Sequence, residues 1–547
     1  MNQFRSRERL IWGLIGEEAL KSSKVLILGS SILTSELAIS LASSGVGEIV
    51  LVDSQIATEE DYGVCISLDG EKTDIVNNPK IYLLKDYLLS LQVCVKVECI
   101  LESPESYLET LKKECSNSPA TEYSIVVCCN LSGVIVEKVY NLAKSCQGIS
   151  SPFVISLKSR GYLGQYQVFS ADRRYITFDL SPENKNLAKL HGLQLCKPFE
   201  LLKKLSSEID LNELENDSGF LKDYLSKIPF PLLLVHIGLN IGLFERTELE
   251  VDKEDLKKKY QESLEKILKN HDFPNYVEAK RNQYLVFSYP EDVLENQIFE
   301  IFESQKSSFD INTQFSLNKR PFSLINVKYQ IVLGWIYKFL NDVGRLPVNK
   351  DLPEMYCETI AYLQLQKIYD EQHNLDVSQI LKNNSENTKM IDSGYDFNIS
   401  EEFVQFVCKH LYCLKCIEFR DSFFRWGKIQ NQINDVNLVL KKRLLEAFLE
   451  DQFQDLQLME FLFLNFLDYI QVDKQINKAP EAIKAEFQNY LKSLGLDYIE
   501  IPPDLIQSFE TKEEFVTSSY ISGVCSQEII KLVLGRFVPL NNLLTWK

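Results

Sequence analysis

Histidine is scarce in this sequence: five in 547 residues, at His191, His236, His271, His373 and His410. They are too widely spaced for a metal signature or a catalytic triad, and none is expected to be catalytic. No G-x-S-x-G, H-E-x-x-H or G-x-x-x-x-G-K-[ST] motif is present. Positive charge is also short. Lys and Arg total 59 against 77 Asp and Glu, a formal net charge of −18. A surface of that sign repels phosphate backbones, which argues against nucleic acid as a partner and favours a basic one. Long hydrophobic runs are missing too. The best, "IPFPLLLVHIGLNIGLF" at 228–244, falls short of the ~20 residues that cross a bilayer. His236 and Asn240 interrupt it, so a buried core helix is expected and no membrane partner. The N-terminal apolar stretch Leu10–Gly16 runs at once into Glu17 and Glu18, unlike a secretory signal. The 13 cysteines are therefore expected to be reduced thiols in a cytoplasmic and/or nuclear chain.

Glycine is missing where a nucleotide would need it. "VLILGSSILTSELAISLASSGVGEIVLVD", residues 25–53, has the strand, helix, strand, acid order of a dinucleotide fold. The loop itself reads Gly29-Ser30-Ser31-Ile32-Leu33-Thr34, where G-x-G-x-x-G is wanted. The second glycine lets the backbone approach phosphate and the third lets helix pack close to strand. Ser31 and Thr34 stand in those places, while Asp53 keeps the position of the ribose-binding acid. The loop at Gly29, Ser31, Thr34 and Asp53 reads as degenerate, with no cofactor expected.

What is present is ample apolar material in two textures. The first ~180 residues alternate strand and helix patterns. Buried parallel strands are expected at Val25–Leu28, Ile49–Val52, Ile125–Cys128 and Phe153–Leu157, with helices at Ser35–Ala42 and Val134–Lys144. "GYLGQYQVFSADRRYITFD" predicts a hairpin turning at Ala171–Arg174. From about 185 to 490 apolar residues recur at three- and four-residue spacing, as in "NELENDSGFLKDYLSK", "DLKKKYQESLEKILKN", "KYQIVLGWIYKFLNDVG", "VLKKRLLEAFLEDQFQDLQLMEFLFLNFLDYI" and "APEAIKAEFQNYLKSLG". Gly344 and Gly495 are helix stops, and 382–397 is a polar loop. The last ~50 residues return to mixed texture. "DYIEI" reads as a strand and "YISGVCSQEIIKLVLG" as a helix. The pattern predicts one α/β domain interrupted by a large all-α insertion.

"CKHLYCLKC" groups Cys408, His410, Cys413 and Cys416 and invites a zinc reading. A structural zinc site needs four converging ligands, usually as two knuckles, and only one C-x-x-C pair exists here. Its segment has a helical period, so buried thiols are favoured and no metal is expected. Arg5, Arg7 and Arg9 precede an apolar, glycine-broken segment leading into the first strand. Such a run is either a solvated face or an arm able to bring a guanidinium to phosphate charge in a neighbouring subunit.

The opening R-x-R-L-I-W-G, followed by "GEEALKSSKVLILG", resembles the start of the activating enzymes for ubiquitin and ubiquitin-like modifiers. "SLKSRGYLGQYQVF", "LQLCKPFELL", "GRLPVNKDLPEMYCETIAYLQLQKIY" and "SGVCSQEIIKLVLGRFVPLNN" are similar to collinear blocks in the non-catalytic, regulatory subunits of heterodimeric enzymes for a Nedd/Rub-type modifier. The resemblance runs from residue 5 to 542. It implies a Rossmann-like pseudo-adenylation domain built from both chain ends, 1–180 and 491–547. The helical insertion, 181–490, is then equivalent to the catalytic-cysteine domain. In such pairs only one domain holds ATP. Catalytic members carry an N-x-N-R-Q-F-type segment after the second strand, whereas "DSQIATEEDYGVCISL" holds no arginine between Asp53 and Leu68.

The resemblance also implies partners and roles. ATP and Mg would be bound by a catalytic subunit, which adenylates the modifier and passes it through a thioester to a conjugating enzyme. This chain would have no catalytic residue of its own. Arg7 matches the family arginine that reaches from the inactive domain into the partner's ATP site, and Arg9 matches a family position of less defined role. The insertion would wall the modifier-binding cleft. Three other readings stay open: the inactive subunit for a SUMO-like modifier, a pure adaptor, and a free-standing Rossmann-type oxidoreductase.

Overall fold

Five short parallel strands make the heart of the domain. They are β1 (Lys24–Leu28), β2 (Glu48–Val52), β3 (Lys96–Ile100), β4 (Ile125–Cys129) and β5 (Phe153–Arg160). The computed structural model describes residues 2–68, 71–91, 95–117, 123–145, 152–170, 174–209, 226–245, 253–268, 273–294, 324–382, 399–419, 460, 462–464, 466, 467, 480–493, 501, 505, 506, 513–541 and 543–546. The five strands pair in parallel in the order β3-β2-β1-β4-β5, so the chain reverses direction across the sheet between β1 and β4. β1, β2 and β4 are buried on both faces, as parallel strands covered by helices must be. β3 is the exception the apolar runs did not reveal. It is an edge strand with exposed Lys96 and Glu98, so its sequence carries no continuous apolar signal.

Successive residues of β1 serve opposite faces. Val25 and Ile27 join a core with Leu33, Leu37 and Leu41 of α2 (Ile32–Ser43) and Leu84 and Leu88 of α3 (Lys80–Ser90). Leu26 and Leu28 pack with Tyr107, Leu108 and Leu111 of α4 (Pro104–Asn117) and Ile135, Val136 and Val139 of α5 (Gly133–Ser145). The hairpin lies one element earlier than its turn residues suggested. β5 turns at Gly161-Tyr162 into antiparallel β6 (Leu163–Phe169). β7 (Arg174–Phe178) instead leaves the sheet and pairs with β8 (Leu414–Glu418). A parallel strand cannot turn back on itself in two residues, whereas an antiparallel one does so readily.

Both ends of the chain complete this domain. β9 (Leu543–Trp546) adds antiparallel to β6, giving seven strands. The C-terminal helix Phe515–Leu534 lies on α2, with Ser522 Oγ donating to Leu33 O at 3.0 Å and Ser519 Oγ to Glu36 at 3.1 Å. Its Ile521, Cys525 and Ile529 enter the same core as Val25 and Ile27. At the other end α1 (Asn2–Ser22) runs into β1 and is broken at Gly13.

Among the described residues the insertion is helical apart from β8. α6 (Pro182–His191), α7 (Glu200–Ser207), α8 (Phe230–Asn240), α9 (Lys253–Leu268), α10 (Pro274–Asn282), α11 (Leu324–Val343), α12 (Thr359–Lys382), α13 (Glu401–His410) and α14 (Pro480–Ser493) precede the C-terminal helix, here α15. α12 spans two cores. Leu365 and Tyr369 pack with Leu202, Leu233, Tyr260 and Tyr276, while Val377 and Ile380 pack with Tyr329, Ile336, Phe403 and Val407. Between them the buried Arg345 grips Asp376 bidentately at 2.7 and 2.8 Å. α8 is the buried core helix expected of 228–244, with His236 Nδ1 at 2.8 Å from Ser206 O and Nε2 at 2.8 Å from Asn240. No helix among the described residues is long and apolar enough to cross a membrane. Gly344, with φ 75°, ends α11. The helical readings at 212–227 and 439–470, the loop at 382–397, the stop at Gly495 and the strand at 497–501 fall almost wholly outside the described residues.

Candidate functional site

A cavity of about 550 Å³ opens at the carboxyl ends of β1, β2 and β4, where strand order reverses and ligands bind in open α/β sheets. Gly29, Asp53 and Asn130 each follow one of these strands and line it. The degenerate loop and its acid are therefore brought together as the sequence order implied.

Gly29, Thr34 and Asp53 are each committed to the protein itself. Gly29 has φ +93°, and a Cβ there would lie 2.6 Å from Cys129 O. This first glycine is required by the backbone beside it, whether or not a ligand binds. Thr34, in the third glycine's place, donates from Oγ1 to Gly29 O at 2.7 Å and accepts from Ser31 N at 3.3 Å. Asp53 is 3% exposed and accepts four hydrogen bonds. Ser30 N and Oγ donate to Oδ2 at 2.5 and 2.7 Å; Ser54 N and Gln55 N donate to Oδ1 at 2.6 and 3.1 Å. The ribose acid is a staple holding two loops.

The phosphate position is filled from the far end of the chain. Glu513 sends its carboxylate to the N-terminus of α2, where Leu33 N donates to Oε1 at 2.8 Å and Ile32 N to Oε2 at 3.2 Å. Ser518 Oγ donates to Oε1 at 3.0 Å. A helix N-terminus with free amides is an anion seat by geometry and dipole. Here the anion is the protein's own. Burial pushes the Glu513 carboxyl above its ordinary value, while the donors at Leu33, Ser518 and Ile32 pull it back.

The rest of the cavity wall is acidic. Asp53, Glu60, Asp61, Glu105 and Glu513 line it against one lysine, Lys80, whose Nζ is taken by Asp61 at 2.8 Å. A nucleoside triphosphate would add several negative charges where the amides are occupied and the side chains repel it. The residues present do not fit ATP. Cys129 also lines the cavity, but burial pushes its thiol up to about 12, so it stays protonated and is no nucleophile. Glu513, Glu60, Asp61 and Glu105 were not singled out in the sequence. Glu513 lies 480 positions from Leu33, and no spacing rule reaches that far.

The other candidates are scattered. Arg7 lies in the first half of α1, and its side chain falls outside the described residues. Cys408 is buried on α13, Cys413 lies in the turn after it, and Cys416 is in β8, so the period of this segment is only partly helical. Among the described residues no three His, Cys, Asp or Glu side chains are grouped to hold a metal. Burial pushes His410 down to about 3, with Lys409, Arg536 and Lys185 adding to the effect; the ring is neutral. His373 Nδ1 lies 2.8 Å from Val348 O, a packed core contact, and His271 is outside the described residues.

No protein-family profile matches the chain. It is similar over nearly its whole length to named relatives. The NEDD8-activating enzyme E1 regulatory subunit AXR1 of Arabidopsis thaliana is 24% identical over 549 residues, covering 98% of this chain and 92% of the relative. The Nedd8-activating enzyme E1 regulatory subunit of Drosophila melanogaster is 23% identical over 557 residues, covering 98% and 93%. That of Gallus gallus is 22% identical over 560, covering 98% and 94%. These likenesses bear out the resemblance read from the sequence blocks. Among solved structures, MccB of E. coli matches 32% of this chain and 49% of its own, at 18% identity and a TM-score of 0.27, too low to carry any argument.

Proposed function

We propose that this chain, similar from end to end to the regulatory subunits of NEDD8-activating enzymes, is the non-catalytic subunit of the heterodimer that activates a Nedd/Rub-type modifier. It is not an enzyme by itself. The observation that carries the reading is the Glu513 carboxylate on the α2 amides, because it removes from this chain the phosphate seat that adenylation requires. ATP and Mg then belong to the catalytic partner, as do the modifier adenylate, the thioester and delivery to a conjugating enzyme. The exposed apolar residues Leu10 and Ile11 on the N-terminal half of α1, 85% and 66% accessible, suit a segment that docks on that partner. Arg7 on the same half-helix is the residue we assign to the partner's ATP site, where a guanidinium would neutralise phosphate charge.

The test is ATP–pyrophosphate exchange driven by the modifier, with this chain alone, the catalytic subunit alone, and the pair. Activity is expected only from the pair, and Arg7→Ala is expected to lower it. Exchange by this chain alone would overturn the reading. A chain that neither exchanges nor stimulates the partner would be an adaptor. A SUMO-like modifier activated in place of the Nedd/Rub type would reassign the pathway.

A further inference from the structure

Helix α1 is interrupted at Gly13, whose φ of 68° and ψ of −178° stop the intrahelical ladder. A helix broken in this way leaves carbonyls of its last turn without amide partners. One of them, Trp12 O, accepts from Arg536 Nη1 at 2.6 Å. Beside it the Trp12 ring meets Phe537 edge-on, with centroids 6.4 Å apart at 79°. The second half of α1 is anchored independently, with Leu20 in the sheet core. Among the described side chains of the first half, which carries Arg7, the tie to the body is made at Trp12, the residue just before the hinge.

Arg536 is 6% exposed, and its charge is met in an unusual way. Its guanidinium lies 4.2 Å from the centre of the Phe406 ring on α13, and its charge is near enough to the Tyr329 phenol on α11 to oppose the upward push of burial on that group. A cation over a ring and against a carbonyl is favourable when desolvated, but it demands a planar group in one orientation. The turn presenting it is fixed from several sides. Gly535 and Phe537 both have positive φ, 60° and 64°. Phe537 N donates to Phe178 O at 2.7 Å and Thr177 Oγ1 to Phe537 O at 2.8 Å. A non-glycine residue in that region persists only where its surroundings over-determine it.

We propose that Arg536 is a positioning residue: it clamps the N-terminal arm at the Gly13 hinge against the helical insertion, and so sets the direction in which the half-helix bearing Arg7 leaves the body. The inference rests on the reading that Arg7 serves the partner's ATP site. It goes further in naming what aims that residue, and in tying the arm to α11 and α13 of the insertion.

The experiment is a double-mutant cycle in the assembled heterodimer, read as the turnover rate of modifier-dependent pyrophosphate exchange at saturating ATP and modifier. Arg536→Met is expected to slow exchange about 5-fold when Arg7 is present and less than about 2-fold in the Arg7→Ala background, because residues acting through one another are not additive. Arg536→Lys, which keeps charge but loses the planar fork, is expected to fall between. A residue that merely supports folding would lower both backgrounds by the same factor, and that result would overturn the proposal. If Arg7→Ala itself has no effect, the arm reading fails, which is a different outcome from additivity. Should Arg536→Met not fold, Gly13→Ala serves instead. Its added Cβ meets nothing within 4 Å, so its only cost is the positive φ at the hinge, and the same non-additive pattern with Arg7→Ala is expected.

Discussion

The amide of Leu33 and the carboxylate of Glu513, 480 positions apart, meet at 2.8 Å in the place where a nucleotide-binding loop holds phosphate. The loop has not been left vacant by the loss of its glycines. Its anion requirement is met from within, and the same bond ties the two chain ends of one domain together.

Glu513→Ala should therefore destabilise the chain. It strips the acceptor from the Ile32 and Leu33 amides, and leaving such donors unsatisfied costs about 1–3 kcal/mol. Urea unfolding gives the number. An unchanged midpoint would mean that water serves the amides equally well.

Acidity offers a second handle on the same group. Burial raises the Glu513 carboxyl above its unfolded value, so between those two values the native state holds a proton that the unfolded chain has lost. The stability contributed by this group then declines as pH rises from about 4.3, the ordinary glutamate value. The difference in stability between the native protein and Glu513→Gln should follow that decline and level off above the raised value. A difference flat from pH 4 to 7 would contradict it.

Gly29→Ala separates structure from ligand. Its φ of +93° and the 2.6 Å approach to Cys129 O leave no room for a methyl group. The backbone term alone is about 1–3 kcal/mol. Thermal unfolding should register the loss, while titration with ATP should show no binding before or after the substitution.

In the insertion, Asp376 accepts from Arg345 twice, from Val348 N at 3.1 Å and from Gln372 at 2.9 Å. Removing one partner of a buried pair strands the other charge, so Asp376→Ala should cost about 3–5 kcal/mol. Arg345→Met combined with Asp376→Leu should cost less than Asp376→Ala alone. The reverse order in denaturant unfolding would show that Asp376 matters chiefly to its other donors.

Leu10→Asp with Ile11→Asp is expected to leave the unfolding temperature of the isolated chain unchanged, since both side chains already face water. Association with the catalytic subunit should weaken at least about tenfold, as when polar groups replace a central apolar anchor. Sedimentation of the mixed subunits decides it.

Much of this was legible in residues whose signal is local. β1, β2, β4 and β5 are continuous apolar runs because both their faces are covered, and such runs show themselves. The loss of glycine at Ser31 and Thr34 was equally plain. β3 was hidden by its position at the sheet edge, where alternate residues meet water. The hairpin was misplaced because Gly161-Tyr162 is a shorter turn signal than the polar stretch near Ala171. β8 was hidden because Cys413 and Cys416 extend an apparent helical spacing beyond the true end of α13 at His410. Glu513 could not have been found at all. Its partner is set by the return of the chain after the insertion, and a glutamate in "TKEEFV" carries no mark of that.

The pairing of β6 with β9 has a consequence in time. During synthesis the edge of β6 must wait for a strand that lies roughly 370 residues downstream, which at 5–20 residues per second is on the order of 20–70 s. Ile521, Cys525 and Ile529, which close the sheet's main core, arrive almost as late. Through that interval the nascent sheet shows an unpaired β6 edge and an apolar face that α2 and α3 cover only in part. The α/β domain, begun early by the ribosome, is therefore among the last parts of the chain that can finish folding, and the helical insertion has the opportunity to settle first.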